Sequence, residues 1–399
     1  MKISFPQKTS YPHSSNYFPE MHKRFSETRI GILGGGQLGR MLIQAGIDYN
    51  LNIAILDPDP DAPCRGLTSH FTSGNLTDFE TVYRFGKDCD LLTIEIENVN
   101  VEALKKLQDE GKEVYPQPEI ISLIQDKIAQ KQFYKDHNIP TAPFEIVNNA
   151  ADVRAMKNWI PMVNKLAREG YDGRGVRVIN TPDQLEKAFN AKGLIEKFID
   201  FDKEISVIVA QNKSGEIKSF PVVELVFHPE YNLVEYLFSP ADIASDIATK
   251  AKATAEYVIK TLEMTGLLSV EMFIISEGEV LVNEIAPRTH NSGHQTIEGN
   301  ITSQFEQHWR SILDMPLGDT EIVIPTAMVN LLGEEGYNGV ARYKGINEVL
   351  AIKGTHVHLY GKRFTRPFRK MGHVTITDRD IENLKAKVKF IKKTLKVIS

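Results

Sequence analysis

Short apolar runs alternate with segments of helical spacing in the first part of the chain. Arg29 to Leu33 is apolar and predicts a buried strand, and Ile53 to Leu56 and Leu91 to Ile96 repeat the pattern. Between the strands, Asp78 to Phe85 and Val101 to Glu110 carry apolar residues at helical spacing. Strands and helices that alternate in this way predict a parallel sheet with helices on both faces.

A different pattern begins after Pro116-Gln117-Pro118. We predict two helices between Pro118 and Asn138, and then short strands alternating with single helices, which is typical of a small α+β unit. A long helix over Ile243 to Met264 precedes paired strands at Leu268 to Ile275 and Val280 to Ile285. The predicted fold is therefore of mixed α/β and α+β class. A poorly ordered extension at 1–28 is followed by an N-terminal α/β domain at 29–118, a small α+β domain at 119–204 and a larger α+β domain at 205–399. The last domain is predicted to end in a basic amphipathic helix over Ile381 to Val397.

Composition narrows the class of protein. The chain has 399 residues, of which 42% are hydrophobic and 25% charged, as in folded globular proteins. A net charge of −5 gives no field suited to generic nucleic-acid binding. The two cysteines, Cys64 and Cys89, exclude a disulfide framework and favour a reducing, cytoplasmic location. No apolar run reaches about 18 residues, so no membrane span is predicted.

The first glycine-rich turn carries the pattern of a dinucleotide fingerprint. Gly34, Gly36 and Gly39 form Gly-x-Gly-x-x-Gly between a predicted strand and a predicted helix, and Asp57 lies near the end of the next strand. Physically, the pattern establishes only that backbone amides at a helix N-terminus are open to an anion. Three interpretations remain open: an NAD or FAD site, a phosphate site for another ligand, and a structural turn.

A second glycine-rich loop follows a predicted strand that contains Lys165. The loop holds Gly170, Gly173 and Gly175, whose amides can fold over phosphates, while Lys165 supplies a positive charge beneath them. A flexible hairpin turn with basic flanks is the alternative. The lysine on the flanking strand favours a nucleotide.

Two carboxylates lie on the predicted strand pair near residue 275. Glu271 is on one strand and Glu284, preceded by Asn283, is on the next, so an antiparallel pairing can bring both carboxylates to one face. Two carboxylates and an amide oxygen are hard ligands suited to Mg²⁺. Burial among apolar neighbours is costly without a cation, which favours a metal over a structural salt bridge. The polar loop that follows, with His290 and His294, predicts a substrate loop rather than a zinc site.

Together these residues resemble the ATP-grasp superfamily and, within it, the N5-carboxyaminoimidazole ribonucleotide synthetases of purine biosynthesis. The resemblance runs from about Arg29 to Thr377, and its most specific part is Asn-Glu-Ile-Ala-Pro-Arg-Thr-His-Asn-Ser-Gly-His at 283–294. The other matching runs are Gly-Gly-Gly-Gln-Leu-Gly-Arg-Met at 34–41, Glu-Ile-Glu-Asn-Val at 95–99, Gly-Tyr-Asp-Gly-Arg-Gly at 170–175 and Arg-Lys-Met-Gly-His at 369–373. The resemblance implies an ATP-grasp fold in which the small domain at 119–204 acts as a lid.

The resemblance implies a ligase that uses ATP and Mg²⁺ to join bicarbonate to 5-aminoimidazole ribonucleotide through carboxyphosphate, releasing ADP and phosphate. Such chemistry requires positioning and charge neutralisation more than a covalent nucleophile. The resemblance also implies a cytoplasmic homodimer, without nucleic-acid or membrane partners. A formate-dependent glycinamide ribonucleotide transformylase shares this fold and is the alternative within the class. Outside it stand a dinucleotide-dependent oxidoreductase and a non-catalytic nucleotide sensor.

The resemblance also assigns site residues by position. Lys127 stands where an arginine is often found in the family, and His228 receives no assignment. The implied nucleotide site comprises Lys127 and Lys165 at the phosphates, Gly170, Tyr171, Asp172, Gly173, Arg174, Gly175 and Val176 in a closing loop, Glu196, Lys197, Phe198 and Ile199 at adenine, Glu204 at ribose, and Glu271 and Glu284 at Mg²⁺ with help from Asn283. The implied ribonucleotide site comprises Gln37, Leu38, Glu95, Arg174, Asn291, Lys362, Arg369 and Lys370, with catalytic roles for Tyr171, Arg174, Asn291 and Lys362.

The last part of that site also has a charge pattern of its own. The segment from Lys362 to Lys370 holds five basic residues and no acidic one in a chain that is net acidic. The strands predicted on either side, His356 to Tyr360 and Val374 to Thr377, are expected to pair. Such a concentration of positive charge suits a phosphate dianion, which arginine can bind through two parallel hydrogen bonds.

Overall fold

The structure is a computed structural model that describes residues 25–168, 175–227 and 233–399. Its first element is a 3₁₀ turn, Phe25–Glu27, and the Phe25 ring meets Tyr49 edge-on with centroids 6.4 Å apart. These residues belong to the segment predicted as an extension, so that prediction was wrong for them. Residues 1–24, Gly170, Tyr171, Asp172, Gly173, Arg174 and His228 lie outside the described ranges.

The N-terminal part forms the predicted parallel sheet. Its elements are β1 (Arg29–Leu33), α1 (Gln37–Ile47), β2 (Asn52–Asp57), β3 (His70–Ser73), α2 (Phe79–Lys87), β4 (Leu91–Ile94), α3 (Val101–Asp109) and β5 (Glu113–Val114). The strand order is β3-β2-β1-β4-β5, with every neighbouring pair parallel. Helix α2 begins where the Asp78 carboxylate accepts from the Thr81 amide, and α3 begins at Asn100 in the same manner.

The middle part is a small antiparallel sheet preceded by two helices, as predicted. Its elements are α4 (Pro118–Ile124), α5 (Lys127–Asp136), β6 (Phe144–Val147), α6 (Ala150–Ala155), β7 (Met162–Leu166), β8 (Val176–Ile179) and β9 (Gly193–Lys197). The strands lie in the order β6-β9-β7-β8. Asp126 caps α5 by accepting from the amides of Ile128 and Ala129, which sets the position of Lys127 in the first turn.

The third part is built on a large antiparallel sheet. Its elements are β10 (Lys203–Gln211), β11 (Ile217–Ser219), β12 (Val223–Phe227), β13 (Val234–Ser239), α7 (Ser245–Thr261), β14 (Gly266–Ile275), β15 (Glu279–Ala286), α8 (Thr296–Gly299), α9 (Gln304–Ile312), β16 (Thr326–Leu332), β17 (Gly339–Val340), β18 (Arg342–Lys344), α10 (Ile346–Leu350), β19 (Thr355–Leu359), β20 (Phe364–Thr365), β21 (Lys370–Thr377), α11 (Ile381–Thr394) and β22 (Lys396–Ile398). The main path is β15-β14-β10-β12-β13-β16-β21-β19, and β11 pairs with β10.

Two predictions about this part have clear outcomes. The strands on either side of the basic segment do pair, because β19 and β21 are antiparallel neighbours. The terminal helix was predicted three residues too long: it ends at Thr394 and the chain continues as β22, paired with β18. Leu395 and Val397 are both buried, and this alternation with a period of two suits a strand rather than a helix.

The core beneath the first sheet is completed from the third part. Ile30 and Ile32 of β1 pack in one apolar cluster with Phe305, Trp309 and Tyr360. The Trp309 ring is fully buried, and its Nε1 donates to the Leu42 carbonyl over 2.8 Å. Helix α9 therefore fastens the first sheet to the large sheet. Among the helices of the described ranges, none is both long and apolar enough to span a bilayer.

Candidate active site

The predicted pair of carboxylates lies on one face of the large sheet. Glu271 on β14 and Glu284 on β15 are direct cross-strand partners, as the sequence predicted. Glu204 lies on the neighbouring strand β10, opposite Phe273. The expectation that both carboxylates are buried was wrong for Glu284: its side chain is 51% exposed because β15 is the edge strand, whereas that of Glu271 is 11% exposed.

Burial and neighbouring charge raise the pKa values of two of these carboxylates. Burial, together with the charges of Glu284 and Glu204, raises the pKa of Glu271 well above its ordinary value. Burial and the charge of Glu284 raise the pKa of Glu204 to about 8, against a hydrogen bond from Asn283. Crowded carboxylates of this kind fit a divalent cation. In the described part of the chain no three His, Cys, Asp or Glu side chains could hold a metal by themselves, so a cation here requires further ligands such as phosphate oxygens.

Three lysines lie close to Glu284 and to a further carboxylate, Glu196 of β9. Lys127 Nζ lies 3.8 Å from Glu284 Oε2. Lys165 Nζ lies 2.9 Å from one oxygen of Glu196, and Lys131 Nζ lies 3.2 Å from the other. Burial opposes the ionised form of Glu196, yet the two lysines hold its pKa below the ordinary value. Lys127 and Lys165, which the sequence assigned to nucleotide phosphates, thus lie beside Glu284 and Glu196.

The strand end predicted to meet adenine is partly occupied. The amides of Lys197 and Phe198 already donate to the carbonyls of Pro143 and Pro161, at 2.9 and 3.2 Å. Among the described residues, no backbone carbonyl accepts from the Ile199 amide. Among the residues predicted to contact adenine, Ile199 therefore supplies the backbone amide that remains to donate to it.

The glycine-rich turn is occupied by the chain's own carboxylates. Asp57 accepts from the Gly35 amide at 2.6 Å, and the Glu95 carboxylate accepts from the amides of Gly36 and Gly39. A Cβ added at Gly36 would collide with the Glu95 carboxylate, so the loop closes around that side chain. Burial raises the pKa of Glu95 although both amides oppose the shift. A dinucleotide would have to displace these carboxylates, which weighs against the oxidoreductase interpretation.

Gln37 and Lys362, predicted at the ribonucleotide, are in direct contact. Lys362 Nζ donates to Gln37 Oε1 at 2.9 Å and to the Lys370 carbonyl at 2.8 Å. Leu38, by contrast, is buried in the core beneath the first sheet. Arg369 Nη1 donates to the Phe364 carbonyl at 2.6 Å, which holds its guanidinium against the backbone of the basic segment to which Arg369 belongs.

The side chain of Asn291 is paired with an asparagine that the sequence did not single out. Asn291 and Asn330 exchange two hydrogen bonds of 2.9 Å, and Asn330 also donates to the Val234 carbonyl. Both amides are buried. The pair fixes the orientation of Asn291, because each amide supplies one donor and one acceptor to the other.

Arg288 connects the two ends of the site. Its Nε lies 2.9 Å from Glu97 Oε1, and its charge opposes the raised pKa values of both Glu95 and Glu271. His290 Nδ1 lies 3.6 Å from Glu271 Oε1. Arg288 was quoted within a matching run but given no role. Lys131 was not among the predicted site residues, although its spacing of four from Lys127 places both on one helical face.

Comparisons with known proteins agree with this arrangement. The chain matches three family descriptions in succession: a ribonucleotide synthetase preATP-grasp domain at residues 27–125, an ATP-grasp domain at 132–305, and a phosphoribosylaminoimidazole carboxylase C-terminal domain at 326–387. The crystal structure of N5-carboxyaminoimidazole ribonucleotide synthetase from Thermotoga maritima aligns with a TM-score of 0.86 and 41% identity, covering 93% of this chain and 99% of that one. An Aspergillus clavatus N5-carboxyaminoimidazole synthase, solved with ADP and 5-aminoimidazole ribonucleotide, aligns with a TM-score of 0.84 and 30% identity over 92% of this chain and 98% of that one.

Two relatives by sequence differ in length. The N5-carboxyaminoimidazole ribonucleotide synthase of Bacillus subtilis is 36% identical over 353 residues, which are 87% of this chain and 90% of that protein. The phosphoribosylaminoimidazole carboxylase of Vigna aconitifolia is 38% identical over 373 residues, which are 90% of this chain but 66% of the longer protein. The fold is that of an ATP-grasp protein. The chain belongs to the N5-carboxyaminoimidazole ribonucleotide synthase family.

Proposed function

We propose that the protein joins bicarbonate to 5-aminoimidazole ribonucleotide at the expense of ATP, giving N5-carboxyaminoimidazole ribonucleotide, ADP and phosphate through carboxyphosphate. The observation that carries the proposal is the continuity of the site. The charges of Arg288 and Lys370 both act on Glu271 of the carboxylate cluster. At the other end of the site, the charge of Arg288 also acts on Glu95, and the Lys370 carbonyl accepts from Lys362, which contacts Gln37. A phosphorylated intermediate formed at one end can therefore meet an amine held at the other.

At the nucleotide end, Lys127 and Lys165 bind the phosphates, Ile199 contacts adenine and Glu204 binds the ribose hydroxyls. Glu271 and Glu284 hold Mg²⁺, which supplies charge neutralisation at the phosphates when bound. The raised pKa values of Glu204 and Glu271 support this assignment, since burial and mutual repulsion cause them and a bound cation offsets both.

At the ribonucleotide end, Gln37, Glu95, Lys362, Arg369 and Lys370 surround the substrate. Arg288 is suited to the bicarbonate anion, because it lies between the two ends and its charge reaches the carboxylates of both. The chemistry needs no covalent nucleophile. In keeping with this, both cysteines are buried, and burial raises the pKa of Cys89 to about 12 and that of Cys64 further still.

Phosphate release tests the proposal against its alternative. The purified protein is given Mg-ATP with 5-aminoimidazole ribonucleotide and bicarbonate, or with glycinamide ribonucleotide and formate. We expect stoichiometric phosphate release only with the first pair. Release with the second pair alone would assign the protein to the formate-dependent enzymes, and release with neither would overturn the ligase assignment.

A further inference from the structure

We propose that Lys131 is a positioning residue of the nucleotide site, which shares the Glu196 carboxylate with Lys165 and so keeps the Lys165 ammonium available to phosphate. The inference rests on the assignment of Lys165 to nucleotide phosphates made above. It gives a role to a buried lysine that has no place in the reaction as proposed so far.

The geometry divides Glu196 between two cations. Its Oε2 lies 2.9 Å from Lys165 Nζ and its Oε1 lies 3.2 Å from Lys131 Nζ. The Lys131 side chain is 3% exposed, whereas that of Lys165 is 13% exposed and stands closer to solvent. Lys131 Nζ also donates to Thr141 Oγ1 at 2.6 Å, and Thr141 in turn donates to the Val282 carbonyl of β15. Lys131, on α5, is therefore held directly by Glu196 of β9 and indirectly by β15 through Thr141.

A lysine at this depth is costly, so its charge calls for an explanation beyond packing. Removing an ammonium from water is repaid only by good partners. Burial lowers the pKa of Lys131 to about 8 in spite of the nearby Glu196 charge. One turn further along the same helix face, the Tyr134 hydroxyl is buried with no hydrogen-bond partner among the described residues. The helix thus presents two polar groups to this interior at a cost that apolar residues would avoid.

The count of charges gives the reason. Lys165 and Glu196 alone form a neutral pair, in which the carboxylate competes with phosphate for the Lys165 ammonium. With Lys131 present, the trio carries a net positive charge, and the Lys131 ammonium pairs with the buried oxygen of Glu196. Lys165 can then turn its remaining donors toward an anion at little cost, because lysine carries three donors on a flexible stem.

The same count predicts an effect that simple loss of packing cannot produce. Lys131→Met leaves Glu196 to Lys165 alone, and nucleotide affinity falls. Adding Glu196→Gln to Lys131→Met removes the competing carboxylate, and affinity returns although a second polar contact has been deleted. A lysine needed only for stability gives the opposite order, with the double variant no better than the single one.

The test is calorimetric binding of ADP with Mg²⁺ at pH 7, without ribonucleotide or bicarbonate, so that it is independent of the reaction proposed above. The variants are Lys131→Met, Lys131→Arg and Lys131→Met/Glu196→Gln. Lys387→Met is the matched control, because Lys387 is a helical lysine, 20% exposed and paired with Asp378 at 2.8 Å, on the distant helix α11. We expect about tenfold weaker binding for Lys131→Met, the size of one lost charge-assisted contact. Affinities of Lys131→Arg and Lys387→Met should lie within about threefold of wild type, and the double variant should recover most of the affinity that Lys131→Met loses.

Two results would overturn the proposal: unchanged ADP affinity in Lys131→Met, or failure of the double variant to recover it. Should Lys131→Met not fold, Lys131→Gln makes the same charge change while keeping donors for Thr141 and Glu196, and the same two results apply. Steady-state kinetics supply a second readout. The Michaelis constant for ATP should rise in Lys131→Met while the turnover number is retained, since ground state and transition state lose the same contact.

Discussion

Lys362 Nζ donates to Gln37 Oε1 over 2.9 Å, and the two residues are 325 positions apart in the chain. Gln37 opens α1 directly after the glycine-rich turn, and Lys362 follows β19 of the large sheet. The contact brings the first helix to the basic segment that begins at Lys362. The turn that looked like a dinucleotide fingerprint thereby becomes one wall of the predicted ribonucleotide site.

Substitution of Gln37 tests whether the start of α1 lines the ribonucleotide site. We expect Gln37→Ala to raise the Michaelis constant for 5-aminoimidazole ribonucleotide roughly threefold to tenfold, the size of a lost hydrogen bond with its lysine partner. The constant for ATP should not change. Gln108→Ala, which changes a glutamine on helix α3, is the control. Equal effects of the two substitutions would place Gln37 outside the substrate site.

Arg369 tests the charge of the basic segment. Arg369→Ala should raise the Michaelis constant for the ribonucleotide roughly tenfold to a hundredfold, because a charge-assisted contact to its phosphate is lost. Arg342→Ala, on the exposed strand β18, serves as the control and should behave as wild type. A variant that lost ATP affinity instead would show that this end of the chain serves the nucleotide.

Glu284 tests the metal assignment. Glu284→Gln keeps the shape of the side chain and removes the charge, so we expect phosphoryl transfer to fall by about two powers of ten or more. Circular dichroism should show an intact fold, because the side chain is half exposed on an edge strand. Glu279→Gln, at the exposed start of β15, is the control. Near-normal turnover of the Glu284 variant at saturating Mg²⁺ would remove this residue from the metal site.

The raised pKa of Glu204 predicts a pH dependence of stability. Its pKa is about 8 in the folded protein against 4.5 for the unperturbed group, so the folded chain holds a proton that the unfolded chain has released across that interval. The free energy of unfolding therefore falls as pH rises through it. His294 and His308, with lowered pKa values of about 3, act in the opposite sense, but their contribution is complete above pH 6.5.

Calorimetry of the wild type beside Glu204→Gln between pH 7 and 8 isolates the Glu204 contribution, because Glu271, whose pKa is also raised, is present in both proteins. We expect the melting temperature of the ligand-free wild type to fall across this range, and that of Glu204→Gln to fall less. The lowered pKa of Lys131 acts in the opposite sense as pH approaches 8, but it does so in both proteins, so the difference between their slopes reports Glu204. Identical slopes for the two proteins would contradict the raised pKa.

The local elements were predictable because they depend on near neighbours in the chain. The strand predicted to contain Lys165 is present as Met162–Leu166, and Glu271 faces Glu284 because a short turn joins their strands. The sequence did not reveal where the amides of Gly36 and Gly39 are satisfied, since Glu95 lies far along the chain.

The same limit explains the residues that were missed. Lys131 gains its meaning from Glu196, which only the packing of α5 against β9 brings within reach. Asn330 lies on a strand of the large sheet that the apolar pattern did not single out, and its pairing with Asn291 depends on the fold as a whole. The lid movement, the homodimer and the domain boundaries stay predictions.

The buried Trp309 ring beneath the first sheet determines how this chain can be divided. Residues 27–125 match one family description and residues 132–305 another, yet the apolar cluster under β1 crosses that boundary. A fragment cut after residue 125 would lose Phe305, Trp309 and Tyr360 and leave an apolar surface in water. The two matched segments, residues 27–125 and 132–305, are therefore not units that can be expressed, swapped or fused separately. A protein fragment made to study the first sheet has to include α9.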